Sequence, residues 1–170
     1  GAAQIRITEV VSGNSASLYD AAGGSPDWIE LHNPSGNDVS LDGYCILMDD
    51  GAKRRCTLGS ASIPAGGYAV VYAADAARTA ALHRGGSTLR LTDNAGNMLQ
   101  TVSVPRLFTD ISYAMDERGR FGHCLSPTPG APNSAEITPF EALEARAQAA
   151  SLVITEAMPA PSQGGAWIEL

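Results

Sequence analysis

Short apolar runs closed by turn clusters set the strongest limit on how this chain can fold. From residue 4 to 115 the sequence reads QIRITEV, DWIELHN, VSLDGYCILM, RCTLG, GYAVVYA, STLRLTDN, NMLQTVSV and DISYAM, separated by segments rich in Gly, Pro, Asn and Asp. Runs of this length, recurring roughly every 8 to 12 residues, indicate an all-β sandwich or barrel. Strict alternation in QIRITEV places Ile5, Ile7 and Glu9 on one face and Arg6 and Thr8 on the other. In DWIELHN the same rule puts Trp28 and Glu30 on one face and Ile29 and Leu31 on the core face.

Two hairpins are legible. LRLTDNAGNMLQTVSV turns at Asp93-Asn94-Ala95-Gly96-Asn97, which supplies residues tolerant of positive φ. Asp49-Asp50-Gly51 is the turn signal between ILM and RRC. Folding that segment about its centre sets Cys45 opposite Cys56, a separation a disulfide can span if the pair is non-hydrogen-bonded. The other reading is two buried free thiols. Cys124 is left over as a small apolar filler.

Helical signals are few. DAARTAALHR (75–84) has Asp75 as an N-cap and Gly85-Gly86 as a stop. ITPFEALEARAQAA follows the proline-rich SPTPGAPN; Thr138 is the capping hydroxyl, Pro139 the first helical residue and Glu141 the third. That pattern predicts a helix of about three turns.

The chain then repeats itself. Ile7-Thr8-Glu9 returns as Ile154-Thr155-Glu156, and Trp28-Ile29-Glu30-Leu31 as Trp167-Ile168-Glu169-Leu170. The expected organisation is a first domain over 1–134, a helical linker over 135–151, and over 152–170 the start of a second copy. Either the sequence breaks off inside that copy, or the tail is a strand pair given to another molecule through Val153, Trp167, Ile168 and Leu170, which would support a homodimer.

Charge narrows the partners. The chain carries 18 acidic and 11 basic side chains, the opposite of the balance a duplex-binding surface needs, so nucleic acid is not an expected partner. No apolar run has the length to span a bilayer as a helix. Ala2-Ala3-Gln4 resembles the residues that follow a signal-peptidase site, so the protein is expected to be secreted, periplasmic or displayed at the cell surface.

Catalytic constellations are missing from the sequence. His32, His83 and His123 have no ligand-type partner at i+2 to i+4, and neither a G-x-S-x-G elbow nor a phosphate-binding glycine loop occurs. Asp93, Asn94 and Asn97 are weak candidates for a calcium turn that ordinary turn chemistry explains as well. Lys53, Arg54 and Arg55 form a small basic cluster suited to an anionic partner or to solubility alone. No cofactor is expected.

Taken in order, ITEVVSGN, PDWIELHNPSGNDVSLDGYCI, IPAGGYAVVYA, TLRLTDNAGNML, DISYAM and PTPGAPN resemble the lamin tail domain in its bacterial secreted form, over roughly residues 5 to 133. The resemblance implies an immunoglobulin-like β-sandwich, here followed by the helix and a two-stranded fragment. It also implies a non-enzymatic module of a larger exported protein, serving adhesion, envelope attachment or domain presentation, with a protein or envelope component as partner. The alternative is an accessory domain of a secreted hydrolase whose catalytic domain lies elsewhere. Trp28 is then either a lid over one sheet or a binding platform.

Overall fold

The computed structural model describes residues 4–49, 51, 53–72 and 82–133, together with the backbone of 137–138, 156–158 and 167–169. Strands β1 (Arg6–Val11), β2 (Trp28–His32), β3 (Val39–Ser40), β4 (Cys45–Asp49) and β5 (Lys53–Thr57) come first. β6 (Ser62–Ile63), β7 (Tyr68–Tyr72), β8 (Ser87–Thr92) and β9 (Met98–Val104) follow. β10 (Ser112–Met115), β11 (Phe121–Cys124) and β12 (Ile137–Thr138) end the first compact unit, Gly1–Thr138. The second unit, Pro139–Leu170, contains β13 (Glu156–Met158) and β14 (Trp167–Glu169).

Two antiparallel sheets make the first unit. One is six-stranded, in the order β12-β11-β10-β1-β2-β7; the other is four-stranded, in the order β5-β4-β8-β9, and β3 pairs with β6 beside them. Ile7, Val10, Ile29 and Leu31 from the first sheet and Ile46, Met48, Leu89, Leu91 and Val102 from the second join one buried cluster. Each such side chain contributes about 1.5–3 kcal/mol by leaving water. The sandwich expected from strand lengths and turn spacing is the fold observed.

A bulge corrects the simple alternation in β1. Ile7 is opposite Leu31, but the next partners are Glu9 and Glu30, so Thr8 is an extra residue. Parity changes there: Ile7 and Val10 both face the core, while Glu9 shares the outer face with Glu30. Gln100 of β9 braces the irregular backbone from the opposite sheet, its amide accepting from Ile7 N at 2.6 Å and donating to Ile7 O at 3.2 Å.

Over Val11 and Trp28 the outer face of the six-stranded sheet is covered by chain rather than left to water. Residues 12–27 cross over Trp28, which is fully buried and donates its indole N–H to Ser17 Oγ at 3.2 Å. Asp110 anchors that crossing: it stands at φ 56°, and its Oδ1 accepts from the amides of Ser15, Ala16 and Ser17 at 2.7, 2.9 and 3.2 Å. Those bonds hold the Asp110 carboxyl below its ordinary range.

The hairpin between β4 and β5 overturns the disulfide expectation. Pairing ends at Asp49↔Lys53, and Gly51 between them stands at φ 100°. One residue more in the turn moves the register: Cys45 faces Thr57, and Cys56 faces Ile46. The two cysteines therefore point to opposite faces of the sheet and no disulfide joins them; both are buried thiols, as is Cys124. The second hairpin is as expected, with Thr92 opposite Met98 and Gly96 at φ 84°.

The two predicted helices fall mainly outside the described residues. Of 75–84, the described part after 81 is irregular, with Gly86 N donating to His83 O at 3.0 Å. Of 138–150, only Thr138 is described; it ends β12, opposite His123. Val153 and Leu170 also lie outside the described residues.

Candidate functional site

The bulge and the central register of β1 and β2 bring two carboxylates face to face. Glu9 and Glu30 are cross-strand partners, and both are fully buried. Like charges so placed repel and lose hydration, so the pair survives only if its oxygens are bonded and its charge is reduced. The structure supplies both.

Glu30 accepts from Thr8 Oγ1 at 2.6 Å and from the amide of Gly130 at 2.7 Å. Glu9 accepts from Ser112 Oγ at 2.5 Å, and its two oxygens share the amide of Thr128 at 3.2 Å each. Thr128 and Gly130 belong to the proline-rich segment 126–133, so the carboxylates hold that segment against the sheet. Asn133 completes the clasp: its side-chain N–H groups reach Thr8 O at 2.9 Å and Met115 O at 3.1 Å, and its Oδ1 accepts from Thr128 Oγ1 at 2.9 Å.

Prolines at 127, 129 and 132 deny the segment a strand ladder. Gly130 stands at φ 81°, which directs its amide to Glu30 without a Cβ penalty. Burial pushes the Glu9 carboxyl up to about 7, opposed by the Ser112 bond and reinforced by the charge of Glu30. Burial likewise raises Glu30 against its bonds from Thr8 and the loop amides. Burial thus favours the protonated form of both carboxyls, and their oxygens are taken up by structural hydrogen bonds.

The other sequence candidates are dispersed. Lys53 and Arg55 on β5, Leu47 and Asp49 on β4 and Arg90 on β8 share the outer face of the four-stranded sheet: Arg55, Leu47 and Arg90 form one cross-strand row, with Lys53 and Asp49 in the next. These residues and Arg54 line a cleft of about 400 Å³. Arg90 lies 3.9 Å from Asp49, a weak and partly exposed pair. Arg55 donates from Nε and Nη2 to Cys45 Sγ at 3.2 and 2.9 Å.

Asp93 spends its oxygens on its own turn, accepting from Ala95 N, Asn97 N and Asn97 Nδ2 at 2.9, 2.8 and 2.9 Å. Asn94 closes over Gly43, where an added Cβ would lie 2.8 Å from its own. Asp27 accepts from Asn14 N at 3.2 Å, tying the two ends of the covering loop. Trp28, read as either lid or platform, is interior and offers no surface to a partner. His32, exposed His83 and buried His123 stand on separate elements. Trp167 and Ile168 are on β14.

Sequence reasoning missed the clasp. The available signal was the pair of acids inside otherwise apolar strands, present in both copies of the I-T-E and W-I-E-L repeat.

The family model for the lamin tail domain matches residues 1–106. No curated protein and no solved structure matches the chain. β10, β11 and the clasped segment lie beyond the matched residues, yet β10 is hydrogen-bonded to β1 within the same sheet. With more than half its length in the match and the two-sheet architecture around it, the chain belongs to the lamin tail domain family.

Proposed function

We propose that the protein is a non-catalytic binding and structural module of a larger exported bacterial protein, repeated in series and attached to a protein or envelope component outside the cytoplasm. The observation that carries this reading is a shared register. In β13 and β14, Glu156 faces Glu169, Ala157 faces Ile168 and Met158 faces Trp167. In β1 and β2, Glu9 faces Glu30, Val10 faces Ile29 and Val11 faces Trp28. The tail hairpin reproduces the pairing on which the first unit builds its clasp, as the opening hairpin of a second such unit would.

The buried carboxylates support a non-catalytic reading, because their oxygens are occupied by the loop they hold. The basic row on the four-stranded sheet supports an anionic docking partner, since it concentrates cations in a chain whose formal net charge is -7. The test is cosedimentation of the purified chain with the isolated envelope of the producing cell, beside the Arg55→Glu, Arg90→Glu double variant. Salt-sensitive binding that the double variant loses is the expected result. Equal sedimentation of both, or of neither, contradicts the docking face.

A further inference from the structure

A second cleft, of about 200 Å³, opens beside the clasp. Its walls come from β1, β2 and β7, the end of β10 with the turn after it, and the end of the clasped segment. Arg6 of β1 is the cross-strand partner of His32 of β2, and His32 is the partner of Tyr68 of β7, so the three side chains form one row. The His32 and Tyr68 rings stack with centroids 4.4 Å apart and planes 19° apart. Across the cleft stand Asp116, Glu117 and Asn133.

Most polar groups here are already used. Asp116 accepts from Arg118 N, Arg120 N, Arg120 Nε and Arg120 Nη2 at 2.9, 2.8, 3.0 and 2.8 Å, so its charge is met within its own turn. Asn133 is committed to the clasp. His32 is pushed toward its neutral form by burial and by Arg6. Arg6 is different: its Nε is buried and donates to no group among the described residues, and no described carboxylate pairs with it. A buried donor of this kind costs about 1–3 kcal/mol unless an acceptor meets it, more when the group is charged.

We propose that this cleft binds a small hydroxylated monocarboxylate of the sugar-acid class, its carboxylate on Arg6 and its ring against the Tyr68–His32 stack. The volume suits a single ring rather than a drug-sized ligand. Arginine is the residue whose fork matches a carboxylate. The exposed Glu117 at the rim selects against a second negative charge and accepts hydroxyl donors. A phosphate dianion would bring charge toward Glu117; a sugar acid brings neutral hydroxyls. The inference goes beyond the docking reading and does not depend on it, since Arg55 and Arg90 line the other cleft.

The experiment is an NMR titration of the full chain with glucuronate, with an oligouronide, and with glucose, acetate and inorganic phosphate as comparisons. Glucuronate or the oligouronide should shift the Arg6 Nε–H signal and those of His32 and Tyr68, at concentrations where the other three leave them in place. Tighter binding of the oligomer than of the monomer would identify a polymer residue as the source; equal binding would identify the free acid. Arg6→Gln, with its dispersed spectrum retained, should weaken the effect by about tenfold or more, while the Arg55→Glu, Arg90→Glu variant should leave it unchanged. Shifts at Arg6 from phosphate or acetate as large as those from glucuronate, or none from either sugar acid, overturn the proposal.

Discussion

Glu9 and Glu30 face each other across β1 and β2, wholly buried, and each accepts a backbone amide of the segment 126–133. Two acids on neighbouring strands would ordinarily weaken a sheet. Here they let a segment that cannot form a ladder, because of its prolines, be held by side chains instead. The first I-T-E, the first W-I-E-L and the motif T-P-G-A-P-N, far apart in sequence, are parts of one hydrogen-bonded clasp.

Gly130 in the clasp and Gly86 just before β8 both stand at positive φ, with different surroundings. At Gly130 an added Cβ meets nothing within 4 Å, so Gly130→Ala is expected to cost only the strain of φ 81°, about 1–2 kcal/mol. At Gly86, with φ 112°, the Cβ would lie 2.9 Å from the carbonyl oxygen of Val104. Gly86→Ala should therefore be the more damaging of the two. Urea midpoints of both variants check the ranking, which fails if Gly130→Ala is the less stable.

The register of β4 and β5 predicts no internal bridge between Cys45 and Cys56. Thiol titration in denaturant without reductant should find all three cysteines reactive, and reductant should leave the melting temperature unchanged. A mass loss of two protons with a peptide linking 45 to 56 would contradict the hairpin as described.

Trp28 fills the space under the 12–27 crossing. Trp28→Ala should cost about 3–5 kcal/mol, as large core truncations do. Trp28→Phe, which keeps most of the area and loses the bond to Ser17 Oγ, should cost less. Chemical denaturation of the two variants checks the order; a neutral Trp28→Ala would mean that the crossing does not depend on the indole.

Much of this fold was legible in the sequence because the signals were local. Turn clusters and period-two runs marked the strands, and Asn97 and Gly96 marked the β8–β9 turn. The errors came from single-residue events that leave no local trace. Thr8 was an ordinary β-branched strand residue until pairing showed it to be extra, and that bulge moved Glu9 to the outer face. Gly51 served a three-residue connection as well as a two-residue one, and the difference separated Cys45 from Cys56. Arg6 gained meaning only when strand order set it beside His32 and Tyr68. The clasp needed partners 119 residues apart, Glu9 and Thr128, which spacing cannot reveal.

The clasp makes its strongest claim through pH. Glu9 titrates at about 7 when folded and near 4.5 when exposed. Between those values the folded chain keeps a proton that the unfolded chain has released, so stability falls as pH rises through the window and is level above it. The loss is about 3 kcal/mol. Glu30 and Asp27, also raised, act in the same direction. Asp93, Asp110 and Asp116, held low, contribute stability that is lost only as pH falls below the ordinary carboxylate range. The most direct measurement is therefore the melting temperature of the wild type and of Glu9→Gln from pH 5 to pH 8. A wild-type decline on the order of 10 °C and a much flatter profile for the variant are the expected result. A wild-type melting temperature that rises with pH, or equal slopes for the two proteins, would contradict it.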